Sequence, residues 1–252
     1  MTERMDQKDY YSEEITAKYS DINRALEDRE LQAIEIITGA ELAEGASVFD
    51  AGCGDGKFIQ ELSHHLGPNY KYAGGDYSES RCEQAREATQ FEITQIDFEK
   101  KLDFQSDVFD CVYSGEVIEH LYNPDNMLIE LNRILKPGGL LIVTTPNMNS
   151  WISRILFLFG MQPLNYECST ISSLYGYGIL KKIKKQDWPI GHVRLFNAMS
   201  LADMLEANGF VIESMSGAVF EFMPKPLRPI DKLFSYIASL ASGLVCVARK
   251  SG

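Results

Sequence analysis

Between residues 45 and 145, short apolar runs alternate with segments whose apolar positions recur at helical spacing. The runs at 47–50, 71–75, 91–95, 108–113 and 139–145 read as strands, and 56–66, 79–88, 115–121 and 125–135 read as helices. Phe58, Ile59 and Leu62 mark one apolar helical face. Alternation of this kind predicts right-handed βαβ crossovers and a mostly parallel sheet covered on both faces. Ligands of such sheets sit at the carboxyl ends of the strands. Upstream, Ile15, Tyr19, Ile22, Leu26, Leu31, Ile34 and Ile37 predict amphipathic helix over 12–37 in two pieces. Downstream, 146–197 breaks the alternation. A short apolar helix opening at Trp151 is followed by Tyr166, Tyr175, Tyr177 and Trp188, which predicts an insertion lying over the carboxyl edge of the sheet as a substrate lid.

The residues that suggest chemistry begin at 47–58. Val48 and Phe49 run into Asp50, then Gly52, Gly54 and Gly56, and a helix follows. Glycines let the backbone turn sharply there and let a ligand approach main-chain N–H groups. The G-x-G-x-x-G dinucleotide fingerprint needs a third glycine at 57, where Lys57 stands, and no P-loop pattern is present. The string Asp50-Ala51-Gly52-Cys53-Gly54-Asp55-Gly56 instead resembles motif I of class I S-adenosylmethionine-dependent methyltransferases. Residues 106–121, including Phe109-Asp110 and Glu119-His120, resemble the fourth strand and following loop of that family. Lys136-Pro137-Gly138-Gly139 resembles its turn into the fifth strand. The likeness resumes at Gly191-His192-Val193-Arg194 and at 201–214, read as a helix, a Gly209 C-cap and a sixth strand.

The resemblance implies an α/β fold, the Rossmann-like class I methyltransferase architecture. Its seven-stranded, mostly parallel sheet would have an antiparallel seventh strand at 243–250, with an N-terminal helical cap and an inserted lid. One domain spans 1–252: cap 1–44, cofactor-binding core 45–145, lid 146–197 and the closing part of the sheet 198–252. It implies S-adenosylmethionine as cofactor. Asp50, Ala51, Gly52 and Gly54 would form the loop, and Asp76, ending the second strand, would accept both ribose hydroxyls. Tyr77 would pack on adenine, Asp97 would accept from its amine, and Phe98 would frame the ring. Ser114, Gly115 and Glu116 would meet the methionine part. The segment Ala17-Lys18-Tyr19-Ser20 resembles the stretch ahead of motif I in many small-molecule methyltransferases, which makes Tyr19 a lid residue.

Of four histidines, His64 and His65 read as surface residues, whereas His120 and His192 are the candidate catalytic bases. Either of the latter also reads as an ordinary hydrogen-bonded polar residue. Glu116, Glu119 and His120 share one face if 115–121 is helical. Ubiquinone-pathway O-methyltransferases share this Glu-x-x-Glu-His arrangement and can use it for a divalent metal. The expectation for this chain is no metal.

Net charge is −12, unevenly distributed. Residues 181–252 carry 10 Lys and Arg against 6 Asp and Glu, leaving 14 basic against 30 acidic residues before them, a net of −16. An acidic body argues against nucleic acid as partner, and the cluster Lys181, Lys182, Lys184, Lys185 reads as a solvated face. Five cysteines with no C-x-x-C pair point to reduced thiols, and the polar N-terminus is unlike a signal peptide, so a cytoplasmic protein is expected. The apolar run 155–159 is far too short for stable membrane insertion. Together with 230–240 it reads as core packing or as a contact, a homodimer interface being one option. The resulting expectation is methyl transfer to an O or N atom of a small-molecule acceptor with hydrophobic or ring character. A non-catalytic methyltransferase-like partner subunit is the alternative, and a nicotinamide oxidoreductase is disfavoured by Lys57.

Overall fold

Residues 24–182, 188–221 and 223–252 are described in a computed structural model. Tyr19, with the rest of its segment and the first predicted helical piece, lies outside the described residues, as do Lys184 and Lys185.

The order of elements is α1 (Asp28–Gly39), β1 (Ser47–Ala51), α2 (Lys57–Leu66), β2 (Lys71–Asp76), α3 (Glu79–Thr89) and β3 (Glu92–Gln95). β4 (Phe109–Gly115), α4 (Pro124–Ile134), β5 (Leu135–Pro146) and α5 (Trp151–Leu158) follow, and α6 (Ala198–Ala207), β6 (Phe210–Ala218), α7 (Arg228–Ser235) and β7 (Gly243–Lys250) close the chain. Short 3-10 turns lie at Ile118–His120, Gly178–Lys182 and Lys225–Leu227. The seven strands form one sheet in the order β3-β2-β1-β4-β5-β7-β6. β7 runs antiparallel to β5 and β6, and the other pairings are parallel. The expected class I architecture is therefore present.

Strand periodicity builds two apolar layers, because neighbouring side chains on a strand point to opposite faces. Phe49, Val112, Leu141, Val143, Leu244 and Cys246 pack on one side with Leu128 and Leu131 of α4 and Leu201 and Leu205 of α6. Val48, Cys111, Tyr113, Leu140, Ile142, Val245 and Val247 pack on the other with Ile34 and Ile37 of α1 and Phe58, Ile59 and Leu62 of α2. Strand order reverses between β1 and β4, which pair from Val48↔Cys111 to Asp50↔Tyr113. Their carboxyl ends flank the crevice that such a reversal opens.

Two local expectations are corrected. The 115–121 helix is a single 3-10 turn, because β4 continues to Gly115 and Glu116 takes a positive φ of 56°. The Lys136-Pro137-Gly138-Gly139 turn does not precede the fifth strand. It sits inside β5 as an irregularity: Phe109 pairs with Leu135, Cys111 with Leu140, and the register shifts between them.

The insertion is anchored by its first helix. Trp151 is buried, stacks on Phe234 of α7 at 5.4 Å, and donates from Nε1 to Asp231 Oδ1 at 2.7 Å. Asp231 also accepts from Phe220 N (2.7 Å) and Ser242 Oγ (2.5 Å), so this buried carboxylate is fully engaged. Tyr177, expected on the lid's aromatic surface, is buried and donates its hydroxyl towards Pro163 O and Leu164 O, holding the insertion to itself. Among the described residues, no helix is long and apolar enough to cross a membrane.

Candidate cofactor and acceptor site

The loop after β1 is shaped by glycines, for reasons of geometry and packing. Gly52 has φ +98° and a Cβ there would lie 2.1 Å from Cγ2 of Val117. Gly56 caps α2 at φ +82°, where a Cβ would press on Ala85 and Thr89 of α3. The expected open cradle of main-chain N–H groups is not formed. Gly52 N and Cys53 N donate to Gly75 O (2.7 and 2.9 Å), Gly54 N donates to Asp76 Oδ2 (2.9 Å), and Gly56 N donates to Cys53 O (2.9 Å). These donors are consumed by the end of β2 and by the loop itself, so they cannot hold a pyrophosphate as a dinucleotide loop does.

The loop's electrostatics are those of a cation site. Asp50 is buried, and its Oδ2 has no hydrogen-bond partner. Burial first, then the carboxylates of Glu30, Asp76 and Asp55, raise its pKa well above the usual carboxylate range. Leaving such an oxygen unpaired costs about 1–3 kcal/mol, so the observation calls for a donor or positive charge from a ligand. Asp76 is half-buried and turned onto the loop, with Oδ2 on Gly54 N and Oδ1 on Ser78 N at 2.9 Å. Each oxygen keeps a second lone pair for a hydroxyl donor.

Other expected contacts fall less directly at the crevice. Ser114 is buried and donates from Oγ to Ala51 O (2.9 Å), tying the ends of β4 and β1 together. Gly115 leaves room for the Tyr113 hydroxyl, which a Cβ would approach to 2.2 Å. Tyr77 is half-buried and its carbonyl accepts from Gln95 Nε2 (3.0 Å). Asp97 caps a turn, accepting from Glu99 N (3.0 Å) and pairing with Lys100 (2.8 Å). The Phe98 ring is buried in the core with Leu121 and Met127, which leaves the ring-framing role to other atoms.

Glu116 points at Arg29, 3.4 Å from Nε, and accepts from Thr144 Oγ1 (3.2 Å). Arg29 and Glu30 were missed by sequence reasoning. Arg29 stands in the first turn of α1, where the helix dipole disfavours a cation, and that mismatch was the available signal. Glu30 is clasped by Arg24 in a bidentate pair at 2.6 and 2.7 Å, close enough to act on Asp50.

Beyond the end of β4, Glu119, His120 and His192 converge. The Glu119 Oε1 atom is 3.9 Å from His120 Nε2 and 4.0 Å from His192 Nε2. Glu119 is buried; burial and then Glu116 raise its pKa well above the usual range. Burial, followed by His192, holds His120 down at about 3, so its imidazole is neutral at pH 7. His192 is placed by the insertion: Glu167 accepts from the N–H groups of Ile190 (2.6 Å), Gly191 (2.7 Å) and His192 (3.2 Å). His64 is exposed on α2, as expected, and His65 with it.

A methyltransferase-domain family model matches residues 22–215. The chain belongs to that family. It is similar to a ubiquinone biosynthesis O-methyltransferase of Maricaulis maris, 31% identical over 119 residues, covering 45% of this chain and 46% of that protein. A demethylmenaquinone methyltransferase of Listeria monocytogenes is 26% identical over 176 residues, covering 66% of this chain and 70% of that one. The chain thus spans less than half the length of the first curated relatives that it matches, 32% and 46%. A solved protein from Pyrococcus horikoshii superposes with a TM-score of 0.61 at 18% identity, covering 97% of this chain and 99% of that one, a likeness of fold.

S-adenosylmethionine is the cofactor that goes with this fold and family. The residues fit it. An orphaned buried carboxylate suits an ammonium, Asp76 suits paired hydroxyls, and the N–H groups of Gly52, Cys53, Gly54 and Gly56 are already taken.

Proposed function

We propose that the chain transfers a methyl group from S-adenosylmethionine to an O or N atom of a small-molecule acceptor. The observation that carries the reading is the unpartnered Asp50 Oδ2, buried among carboxylates beside the Gly52–Gly56 turn. It asks for a cationic ligand, which a nicotinamide dinucleotide, with its pyrophosphate, is not. The family match and the quinone-pathway relatives support the same direction.

The cofactor supplies a methyl already activated on a sulfonium. The protein's share is binding, alignment and exclusion of water. Asp50 would take the ammonium, Asp76 the ribose hydroxyls, and Arg29 beside Glu116 stands where it can answer the amino-acid carboxylate. Alignment of acceptor and methyl carbon contributes about 7–11 kcal/mol in well-oriented reactions. An acceptor hydroxyl or ammonium must also lose its proton. The Glu119–His120–His192 cluster, covered by the returning insertion, is the candidate place for that loss. An acidic body and a site walled by the insertion favour a small molecule over a nucleic acid.

Titration calorimetry with S-adenosylhomocysteine and with NADH tests the cofactor, and release of S-adenosylhomocysteine over a panel of phenols and amines tests the reaction. Binding of the adenosyl ligand without NADH, and turnover on a member of the panel, are expected. NADH binding without the adenosyl ligand would sink the reading.

A further inference from the structure

Arg81, which has no role in the site as described so far, occupies a position that its local surroundings do not favour. It stands in the first turn of α3, where the helix dipole disfavours a cation. Among the described residues, every other arginine side chain is hydrogen-bonded or ion-paired, whereas the Arg81 guanidinium has neither kind of partner. The acids around it are turned to other donors. Glu79 pairs with Arg86 at 2.7 Å, both Asp76 oxygens accept from N–H groups, and Asp55 Oδ1 accepts from Lys57 N at 3.1 Å. Yet the side chain is half-buried and lies over the glycine turn, where a Cβ on Gly54 would come 3.5 Å from Arg81 Nη1. Its charge also reaches His120: burial and then His192 keep that ring neutral, and Arg81 acts in the same direction. A lone cation therefore stands between the cofactor loop and the Glu119–His120–His192 cluster, in a chain of net charge −12.

We infer that Arg81 holds a carboxylate of the methyl acceptor, which makes the substrates of this site hydroxy or amino acids. A half-buried guanidinium with no counter-ion calls for an oxyanion, and its planar fork matches a carboxylate through two parallel hydrogen bonds. The cofactor does not supply that anion. S-adenosylmethionine has no phosphate, and its one carboxylate shares a carbon with the ammonium assigned to Asp50 and has Arg29 to answer it. The anion then comes with the acceptor. A carboxylate suits the position better than a phosphate dianion, because Asp50, Asp55 and Asp76 lie close together at the turn and repel a second charge. Held by its acid group at Arg81, an acceptor would turn its hydroxyl or amine towards the cofactor's methyl and the cluster at His120. Arg81 binds and orients, and no bond is made or broken there. This deepens the proposed methyl transfer, on which it rests, by naming the class of acceptor.

The test titrates the full chain, with and without S-adenosylhomocysteine, using gallate, para-hydroxybenzoate, para-aminobenzoate and mandelate, each against its methyl ester. With S-adenosylhomocysteine bound, at least one acid is expected to bind at least about tenfold tighter than its ester in calorimetry. Arg81→Gln should erase that preference and Arg81→Lys should keep part of it. Both variants should bind S-adenosylhomocysteine as wild type does, which also reports folding. A panel in which no acid binds better than its ester, or a preference that survives Arg81→Gln, would overturn the inference. So would an equal loss of S-adenosylhomocysteine affinity in Arg81→Gln, which would make Arg81 a cofactor residue. Tighter binding of para-hydroxyphenyl phosphate than of every acid would overturn the carboxylate assignment. Wild-type protein that binds no S-adenosylhomocysteine would instead sink the methyl-transfer reading, and the acid-to-ester comparison without it would still decide for or against the anion site.

Discussion

The cofactor end and the acceptor end of this site are built over different distances along the chain. At the cofactor end, Asp50, Gly52, Gly54 and Asp76 belong to two successive strand ends, and the bonds that shape them join neighbours in one βαβ unit. At the acceptor end, Glu119 and His120 follow β4, and their partner His192 arrives only after the whole insertion, held by Glu167 and Asn165 while Gly191 O meets His120. The first end is carried on strand termini of the sheet, whereas the second depends on how a long excursion is tied down. The comparison teaches that one end of the site is fixed by local strand termini while the other is set by how the insertion is tied down.

The sharpest break is Gly52→Ala. A Cβ at φ +98° and 2.1 Å from Val117 combines backbone strain with overpacking. It should cost about 3 kcal/mol in urea unfolding and abolish adenosyl-ligand binding while the insertion keeps its amide protection. Asp76→Ala removes the carboxylate on Gly54 N and should weaken S-adenosylhomocysteine by about 1.5–3 kcal/mol in calorimetry. Unchanged affinity would remove the ribose assignment.

Glu167→Gln attacks the other end. Losing the charge that gathers three N–H groups should cost about 2 kcal/mol and speed exchange at Ile190, Gly191 and His192, with cofactor affinity unchanged. Equal loss at both ends would erase the distinction drawn above.

The smallest effect concerns Asp50. Its native pKa is raised, so the folded protein holds a proton that the unfolded chain releases. That stability is full below the ordinary carboxylate pKa of 3.8 and is lost as pH rises through the native value. Asp50→Asn should therefore stabilise the ligand-free protein by about 1 kcal/mol near neutral pH, with a gap that widens as pH rises, while weakening the adenosyl ligand. Melting curves at several pH values check the sign.

Much of the fold was legible because it is local. Period-2 strands, the glycine turn and the strand-to-helix alternation each write their geometry within a dozen residues, as Val48 and Phe49 facing opposite layers illustrate. The misreadings have separate causes. A helix at 115–121 followed from spacing, but the positive φ of Glu116 at the end of β4 broke it. Phe98 followed a strand end as a ring-binding residue should, yet the core claimed its side chain.

Sequence alone determined the layers, the turn after β1 and the acidic residues at the strand ends, because short-range sterics and hydrophobic periodicity act between near neighbours. Tertiary structure decided that the loop's N–H groups face β2, that Arg29 meets Glu116, and that Glu119 sits between two histidines. Those pairings join residues that only the closing of the sheet and the return of the insertion bring together, and no spacing along a chain encodes them.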